Sequence, residues 1–280
     1  MSKTPHGVHP SDLTVVARNV LLDGLDALAP HLSSITVVGA QAVHLRTLGA
    51  QFSTAAHTSD GDLGVDPRQL EDEPLIQERL RSAGFELMSE NQPGLWARKE
   101  FVGDVLVPVE LDLLVGERLA GTGSRSANIR PHDKMTARRV PGLEVAVVDR
   151  SPMTITALDG SGRSTEVNVA GAAALLVAKA HKIHDRLRNP SRLTNKDAGD
   201  VYRLMVGVPR QEVVDSFRVL TKDHLVGEVT KRGLDLLREQ FGGPATPGVR
   251  LAIDALAGDI PADRIRLVAP AYVAVLDDLG

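Results

Sequence analysis

The motif on which the fold prediction depends is Thr58-Ser59-Asp60-Gly61-Asp62-Leu63, where one residue separates two carboxylates. Residues i and i+2 of a β-strand point to the same side of a sheet, so Asp60 and Asp62 are expected to share a face. A third acid, Asp112, lies in the apolar stretch Val109-Glu110-Leu111-Asp112-Leu113-Leu114-Val115. On a neighbouring strand it would complete an all-oxygen site suited to Mg²⁺ or Mn²⁺. We therefore predict that these three acids are metal ligands; the alternative is an ordinary turn followed by a surface acid.

A glycine turn precedes this motif in Ile35-Thr36-Val37-Val38-Gly39-Ala40-Gln41, which is typical of a short strand, a turn and the start of a helix. The N–H groups and the dipole at the start of a helix favour anions, and glycine allows a phosphate to approach closely. An ordinary strand-to-helix turn is the alternative. The residues predicted here to bind substrate are Gly39, Ala40, Gln41, Thr58 and Ser59.

Three cations, Lys179, Lys182 and Arg186, follow a spacing of three and four residues and therefore share one face of a predicted helix. An apolar stripe on the opposite face would pack inward, leaving the cations to meet a triphosphate. Lys179 is the strongest candidate for this role. The alternative is a solvated helix face.

The next helix is predicted to begin near Lys196-Asp197-Ala198-Gly199-Asp200. We predict that Lys196, Asp197 and Asp200 contribute to substrate binding, with Asp200 in an orienting role. Two alternatives remain. Acids in a first helical turn favour the helix dipole, and Asp200 could simply pair with Lys179 or Arg186.

A basic segment, Gly121–Gly142, carries five Lys and Arg residues against one acid, Asp133. Such a segment could hold an anionic acceptor such as RNA through its phosphates rather than its bases. A surface loop without a binding role is the alternative.

The composition limits the classes of function. Hydrophobic residues make up 42% and charged residues 24% of the 280 residues, as in an ordinary globular protein. The net charge of −4 provides no overall attraction to nucleic acid or to an anionic membrane. The absence of cysteine excludes disulfides and thiol catalysis.

No secretory signal is evident, and no apolar stretch reaches the roughly 18 residues of a membrane span. We expect a cytoplasmic protein without a membrane partner.

The periodicity of apolar residues predicts an α+β protein with two domains, at residues 1–168 and 169–280. In the first domain, helices are predicted at 11–29, 40–48 and 67–83, and strands at 35–39, 85–89, 95–101, 105–115, 143–149, 153–158 and 165–169, with a further strand carrying Asp60 and Asp62 after a loop at 49–59. In the second, helices alone are predicted, at 172–188, 194–206, 210–220, 223–241, 246–257 and 262–279.

Together these motifs resemble the nucleotidyltransferase superfamily, and specifically the AbiEii-type (MenT-like) nucleotidyltransferase toxins. The resemblance runs from about residue 35 to residue 205 and includes Lys196-Asp197-Ala198-Gly199-Asp200-Val201-Tyr202. It implies a mixed nucleotidyltransferase sheet with flanking helices, followed by a helical domain. It also implies Mg²⁺-dependent transfer of a nucleotide from an NTP to RNA, such as a tRNA 3′ end, or to a protein. A bacterial toxin–antitoxin or phage-defence system, with an antitoxin encoded nearby, is the implied context.

The resemblance implies four catalytic residues: Asp60 and Asp62 hold metal, Asp112 completes the site and promotes attack, and Lys179 neutralises the triphosphate. The sequence departs from the family pattern twice, with Ala40 in place of the second Gly or Ser and Ala56 in place of an Arg. Two alternatives therefore stand beside the toxin: a small-molecule, aminoglycoside-type nucleotidyltransferase, and a degenerate member that binds nucleotide without turnover.

Overall fold

A computed structural model describes residues 5–49 and 58–276 of the chain. Its helices are α1 Pro10–Ala27, α2 Gly39–Arg46, α3 Ile76–Ser82, α4 Ala172–Leu187, α5 Lys196–Gly207, α6 Arg210–Leu220, α7 Gly227–Phe241, α8 Pro247–Ala255 and α9 Ala262–Ala274. Its strands are β1 Ile35–Val38, β2 Asp60–Val65, β3 Glu86–Leu87, β4 Leu95–Val102, β5 Val105–Gly116, β6 Arg138–Val140, β7 Arg150–Thr156 and β8 Ser164–Ala170.

The strands form one mixed sheet in the order β3-β4-β5-β2-β1-β8-β7, with β6 paired to the end of β5. The inner strand β2 runs parallel to β5 and antiparallel to β1, and β1 in turn runs parallel to β8. The structure therefore confirms the predicted α+β class, with a mixed sheet, flanking helices and a run of helices after β8.

Helix α1 covers one face of the acid-bearing strands, and small residues make this contact close. A side chain on Gly24 of α1 would lie 2.6 Å from Leu111 of β5, and one on Gly61 of β2 would lie 3.0 Å from the same leucine. Leu111 and Leu113 are fully buried. Because neighbouring residues of a strand alternate between faces, Asp60, Asp62 and Asp112 point to the face opposite α1.

Two compact units can be recognised. The first contains the described residues of Met1–Gln41, Ala56–Val140 and Arg150–Val169, and the second those of Ala42–Ala55, Pro141–Asp149 and Ala170–Gly280. In the second unit, α4 packs against α5, α6 and α7, and α7 also packs against α8 and α9. The predicted boundary between residues 168 and 169 remains a prediction.

Two predicted elements differ in the structure. The helix expected over 67–83 is limited to Ile76–Ser82, because Pro74 lacks an N–H donor and disfavours helical geometry in the residue before it. The strand expected over 143–149 is a short 3₁₀ helix, Glu144–Val147. After this turn, the Asp149 carboxylate accepts a hydrogen bond from Ala174 N at 2.8 Å and so caps α4.

Strand β6 was not predicted, because three residues are too few to show the alternation of apolar and polar side chains that is typical of a strand. In the part of the chain that the structure describes, no helix has both the length and the apolar character needed to cross a membrane.

Candidate functional site

Acidic residues are aligned on one face of the parallel pair β2 and β5. Asp62 lies directly beside Asp112, and Asp60 beside Glu110. Residues paired in this way point to the same face, so four carboxylate side chains share it. Glu110 was not among the predicted site residues. It lies two residues before Asp112, and this spacing predicts that the two side chains share one face of a strand.

Asp112 is the most buried member of this acidic face. Only 7% of the residue is exposed. Its Oδ2 accepts a hydrogen bond from Arg138 Nη2 at 2.6 Å, whereas its buried Oδ1 has no hydrogen-bond partner among the residues that the structure describes. Burial, followed by the charge of Asp62, raises the pKa of Asp112 to about 7 against the opposing effect of Arg138. A further cation at Oδ1 would therefore be stabilising.

The donor set suits a hard divalent cation, because carboxylate oxygens are the ligands that Mg²⁺ prefers. Asp112 Oδ1 is an orphaned buried acceptor beside a like charge, which is the environment that a bound cation would relieve. Within residues 5–49 and 58–276, however, no three His, Cys, Asp or Glu residues are grouped closely enough to hold a metal ion. Metal binding by Asp60, Asp62 and Asp112 therefore remains a prediction, and Asp112 is paired with Arg138.

Thr58 orients Asp60. The threonine is 4% exposed, and its hydroxyl donates to Asp60 Oδ1 at 2.9 Å and approaches the backbone oxygen of Asp60 at 3.1 Å. Because this hydroxyl is engaged with a neighbouring carboxylate, any role for Thr58 in substrate binding acts through Asp60. Ser59 is half-buried between them.

The glycine turn lies against the second acid. Gly39, the first residue of α2, has φ +67°, and a side chain there would lie 1.9 Å from Asp62 Oδ2 and 2.9 Å from Asp62 Cβ. Only glycine allows both this backbone conformation and this approach. The turn therefore places the start of α2, with its first-turn N–H groups, beside the acidic face.

Gln41 is held by an arginine that the sequence analysis did not select. Gln41 is 1% exposed and Arg18 is 3% exposed. Arg18 Nε donates to Gln41 Oε1 at 3.0 Å, and Arg18 Nη1 donates to Thr156 O at 2.9 Å. Among the described residues, the buried amide nitrogen of Gln41 has no hydrogen-bond partner. The buried Ala40 beside it contributes backbone only.

Lys179 lies in a buried ion cluster of the second unit. The lysine is 5% exposed, and its Nζ donates to Asp197 Oδ1 at 2.9 Å and to Asp200 Oδ2 at 2.7 Å. Burial alone would lower the pKa of Lys179, but the two carboxylates outweigh it and raise the pKa. Asp200 therefore pairs with Lys179, which was the alternative to an orienting role for Asp200 in the substrate site.

Asp197 and Asp200 also pair with cations other than Lys179. Asp197 also pairs with Arg186 and, at 3.3 Å, with Lys182, and Asp200 pairs with Arg203 at 3.3 Å. Among the described residues, four cations thus pair with these two acids, which gives the cluster a surplus of two positive charges. The Lys182 side chain is 44% exposed and that of Arg186 22%, so these two are more accessible to an anion than Lys179.

The predicted site residues thus form two groups. The first unit contains Gly39, Ala40, Gln41, Thr58, Ser59, Asp60, Asp62 and Asp112, and the second contains Lys179, Lys182, Arg186, Lys196, Asp197 and Asp200. The exposed Lys196 begins α5. Ala56, where the family pattern has an arginine, lies outside the described residues.

The basic segment Gly121–Gly142 uses part of its charge internally. Arg139 donates to the backbone oxygens of Gly121 and Gly123, both at 2.7 Å, and so holds the loop. Arg138 is paired with Asp112. The cations of the segment that remain exposed are Arg125, Arg130 and Lys134.

No protein-family model matches the chain, and no curated protein sequence matches it. Among solved structures, a solution structure of the antibiotic-resistance factor ANT(2'')-Ia is similar, with a TM-score of 0.39 and 14% identity, over 72% of this chain and 90% of that one. At this TM-score the likeness carries no argument about fold or activity. The functional interpretation rests on the geometry of the acids and of the glycine turn.

We expect Gly39→Ala to be more destabilising than Gly103→Ala. Both glycines have positive φ, +67° and +60°, but a side chain at residue 103 meets nothing within 4 Å. The control should lose about 1–2 kcal/mol for the backbone conformation alone. The excess loss at residue 39 measures the clash with Asp62 and is obtained from urea unfolding. Equal losses would contradict the close contact.

Lys179→Met should reduce the free energy of unfolding by about 3–5 kcal/mol, because two buried carboxylates lose their shared cation. Lys182→Met, at a side chain that is 44% exposed, should cost about 0–1 kcal/mol. Chemical denaturation of both variants checks this. A loss at Lys182 as large as that at Lys179 would show that burial does not distinguish them.

The cost of Asp197→Asn should depend on pH. Burial raises the pKa of Asp197, but Lys179, Lys182 and Arg186 together lower it below its usual range. The carboxylate therefore stabilises the protein above the pKa of the unfolded state and loses this effect as the pH falls. Below about pH 4, the difference between wild type and variant should shrink by about 1.4 kcal/mol per pH unit. Urea unfolding between pH 5 and pH 3 measures it; a constant difference would contradict the assignment.

Proposed function

We propose that this protein is a Mg²⁺-dependent nucleotidyltransferase that moves a nucleotide from an NTP to an acceptor. The main support for this proposal is that Asp60, Asp62 and Asp112 lie on one face of the sheet, with the Gly39 turn packed against Asp62. A carboxylate face suits the cation that accompanies a triphosphate. The start of a helix beside it suits the phosphates themselves.

Asp60, Asp62 and Asp112 would hold Mg²⁺ or Mn²⁺, which when bound supplies electrostatic stabilisation to the attacking and leaving oxygens of phosphoryl transfer. Thr58 fixes the rotamer of Asp60 through its hydroxyl. Burial and the charge of Asp62 raise the pKa of Asp112 to about 7, and Asp112 is the residue we assign to promoting attack by the acceptor hydroxyl.

The phosphates would be bound by backbone N–H groups at Gly39 and Ala40 and by the unpartnered amide nitrogen of Gln41. Arg18 fixes which end of the Gln41 amide is the donor, since its Nε occupies the amide oxygen. The alanine at residue 40 removes a hydroxyl, so phosphate binding relies on backbone groups and on Gln41.

The role of Lys179 changes from that expected from the sequence. Two carboxylates already neutralise Lys179, so we assign it to stabilising the second unit. Lys182 and Arg186 lie on the same helical face, are more exposed and share the positive surplus of the cluster. We propose these two as substrate-binding cations, with Lys196 as a further candidate.

For the acceptor we favour RNA, such as a tRNA 3′ end, because Arg125, Arg130 and Lys134 remain exposed beside few acids. A protein acceptor belongs to the same proposal of a cytoplasmic toxin with a cognate antitoxin encoded nearby. These assignments rest on the motif resemblance and on the exposed charges.

A small-molecule acceptor is the second candidate, and Glu110 is the observation that favours it. This acid extends the negative face beside Asp60, and a polycationic acceptor such as an aminoglycoside would be attracted there. In this case the exposed cations of the basic segment have no role in acceptor binding.

A labelling experiment distinguishes the candidates. The protein is incubated with each α-³²P-labelled NTP and Mg²⁺, together with total RNA, total protein or an aminoglycoside. We expect label in RNA. Asp62→Asn and Asp112→Asn should each reduce labelling by at least about 100-fold, while Asp104→Asn, an exposed acid in the turn between β4 and β5, should leave it unchanged.

Each other outcome has a defined meaning. Label only in the aminoglycoside establishes the second candidate. Nucleotide binding without label in any acceptor, detected by calorimetry and unaltered by removal of Mg²⁺, identifies the degenerate alternative. Equal labelling by wild type and both acid variants removes the metal assignment.

A further inference from the structure

Arg138 binds the carboxylate of Asp112, which a metal cation at the proposed site would also bind. Its Nη2 lies 2.6 Å from Asp112 Oδ2, and the other oxygen of Asp112 is buried and has no hydrogen-bond partner within residues 5–49 and 58–276. The two carboxylate oxygens thus differ: one is neutralised by a guanidinium and the other has no partner. A guanidinium and a divalent cation repel each other when they share one carboxylate, so each weakens the binding of the other to Asp112.

The backbone and the side chain of Arg138 differ in their freedom to move. The backbone is fixed, because β6 pairs with β5 through Leu114 and Arg138 and because Arg139 holds the adjoining loop through two carbonyl oxygens. The Arg138 side chain is 35% exposed, whereas that of Asp112 is 10% exposed. The guanidinium can therefore leave Asp112 for solvent without a change in the sheet.

We propose that Arg138 is the internal counter-cation of Asp112 in the metal-free protein and is displaced from it when a divalent metal binds. This inference rests on the proposed metal site. Asp112 then has a cationic partner in both states, and the buried carboxylate is never left unpaired.

The displaced guanidinium has a second consequence for the same reaction. It joins the exposed cations of the basic segment, Arg125, Arg130 and Lys134, and so adds to the positive charge offered to an anionic acceptor. Arg138 is thus a positioning residue for Asp112 when metal is absent and a binding residue when metal is present.

The test is the sign of the change in metal affinity. Mn²⁺ binding to the full chain, without nucleotide, is measured by titration calorimetry and by the electron paramagnetic resonance signal of free Mn²⁺. Arg138→Gln removes the competing cation, and we expect roughly 5- to 30-fold tighter binding of Mn²⁺. Arg138→Lys keeps one positive charge, so it should produce a smaller gain and serves if the first variant does not fold.

Arg81→Gln is the matched control, because it removes the same charge at an exposed residue of the same unit, to which no binding role is assigned. We expect less than about a twofold change in Mn²⁺ affinity, since exposed charges are screened. Unchanged or weaker binding by both Arg138 variants would overturn the proposal and would make Arg138 a permanent support of Asp112. Absence of Mn²⁺ binding in wild type and every variant would instead overturn the metal assignment itself.

Discussion

The register between β2 and β5 is the constraint on which the site depends. It places Asp62 beside Asp112 and Asp60 beside Glu110, so that like charges accumulate on one strand face. This arrangement is unfavourable in itself, because repulsion adds to the cost of burying Asp112. The rest of the local structure accommodates it. Leu111 and Leu113 anchor the opposite face under α1, and Arg138 neutralises one oxygen of the most buried acid.

Local patterns in the sequence were sufficient to predict the strand, glycine turn and helix around Gly39, and the shared face of Asp60 and Asp62. Both predictions follow from patterns that repeat every few residues, and such patterns can be recognised in a single sequence. The pair Arg138–Asp112 could not be predicted, because 26 residues separate its members and the strand that brings them together has no period. The same holds for Arg18 and Gln41, which meet across two helices.

Lys179 shows a different limit of sequence patterns. Its spacing with Lys182 and Arg186 correctly predicts a common helical side, yet spacing does not reveal which cation is buried. The structure shows Lys179 enclosed by Asp197 and Asp200, with Lys182 more exposed. A buried lysine with two carboxylates supports the helices α4 and α5, whereas its exposed neighbours retain charge for a ligand. Cations at the same helical spacing thus differ in burial, and the binding role proposed for Lys182 and Arg186 does not extend to Lys179.

The central claim is that the acidic face of β2 and β5 binds a divalent cation next to the Gly39 turn. The most direct measurement is an anomalous diffraction map, at the manganese edge, of crystals grown with Mn²⁺ and a non-hydrolysable NTP. The account predicts a peak bounded by the carboxylates of Asp60, Asp62 and Asp112, with the triphosphate at the start of α2. Bound nucleotide elsewhere in the molecule, with no peak at these acids, would contradict it.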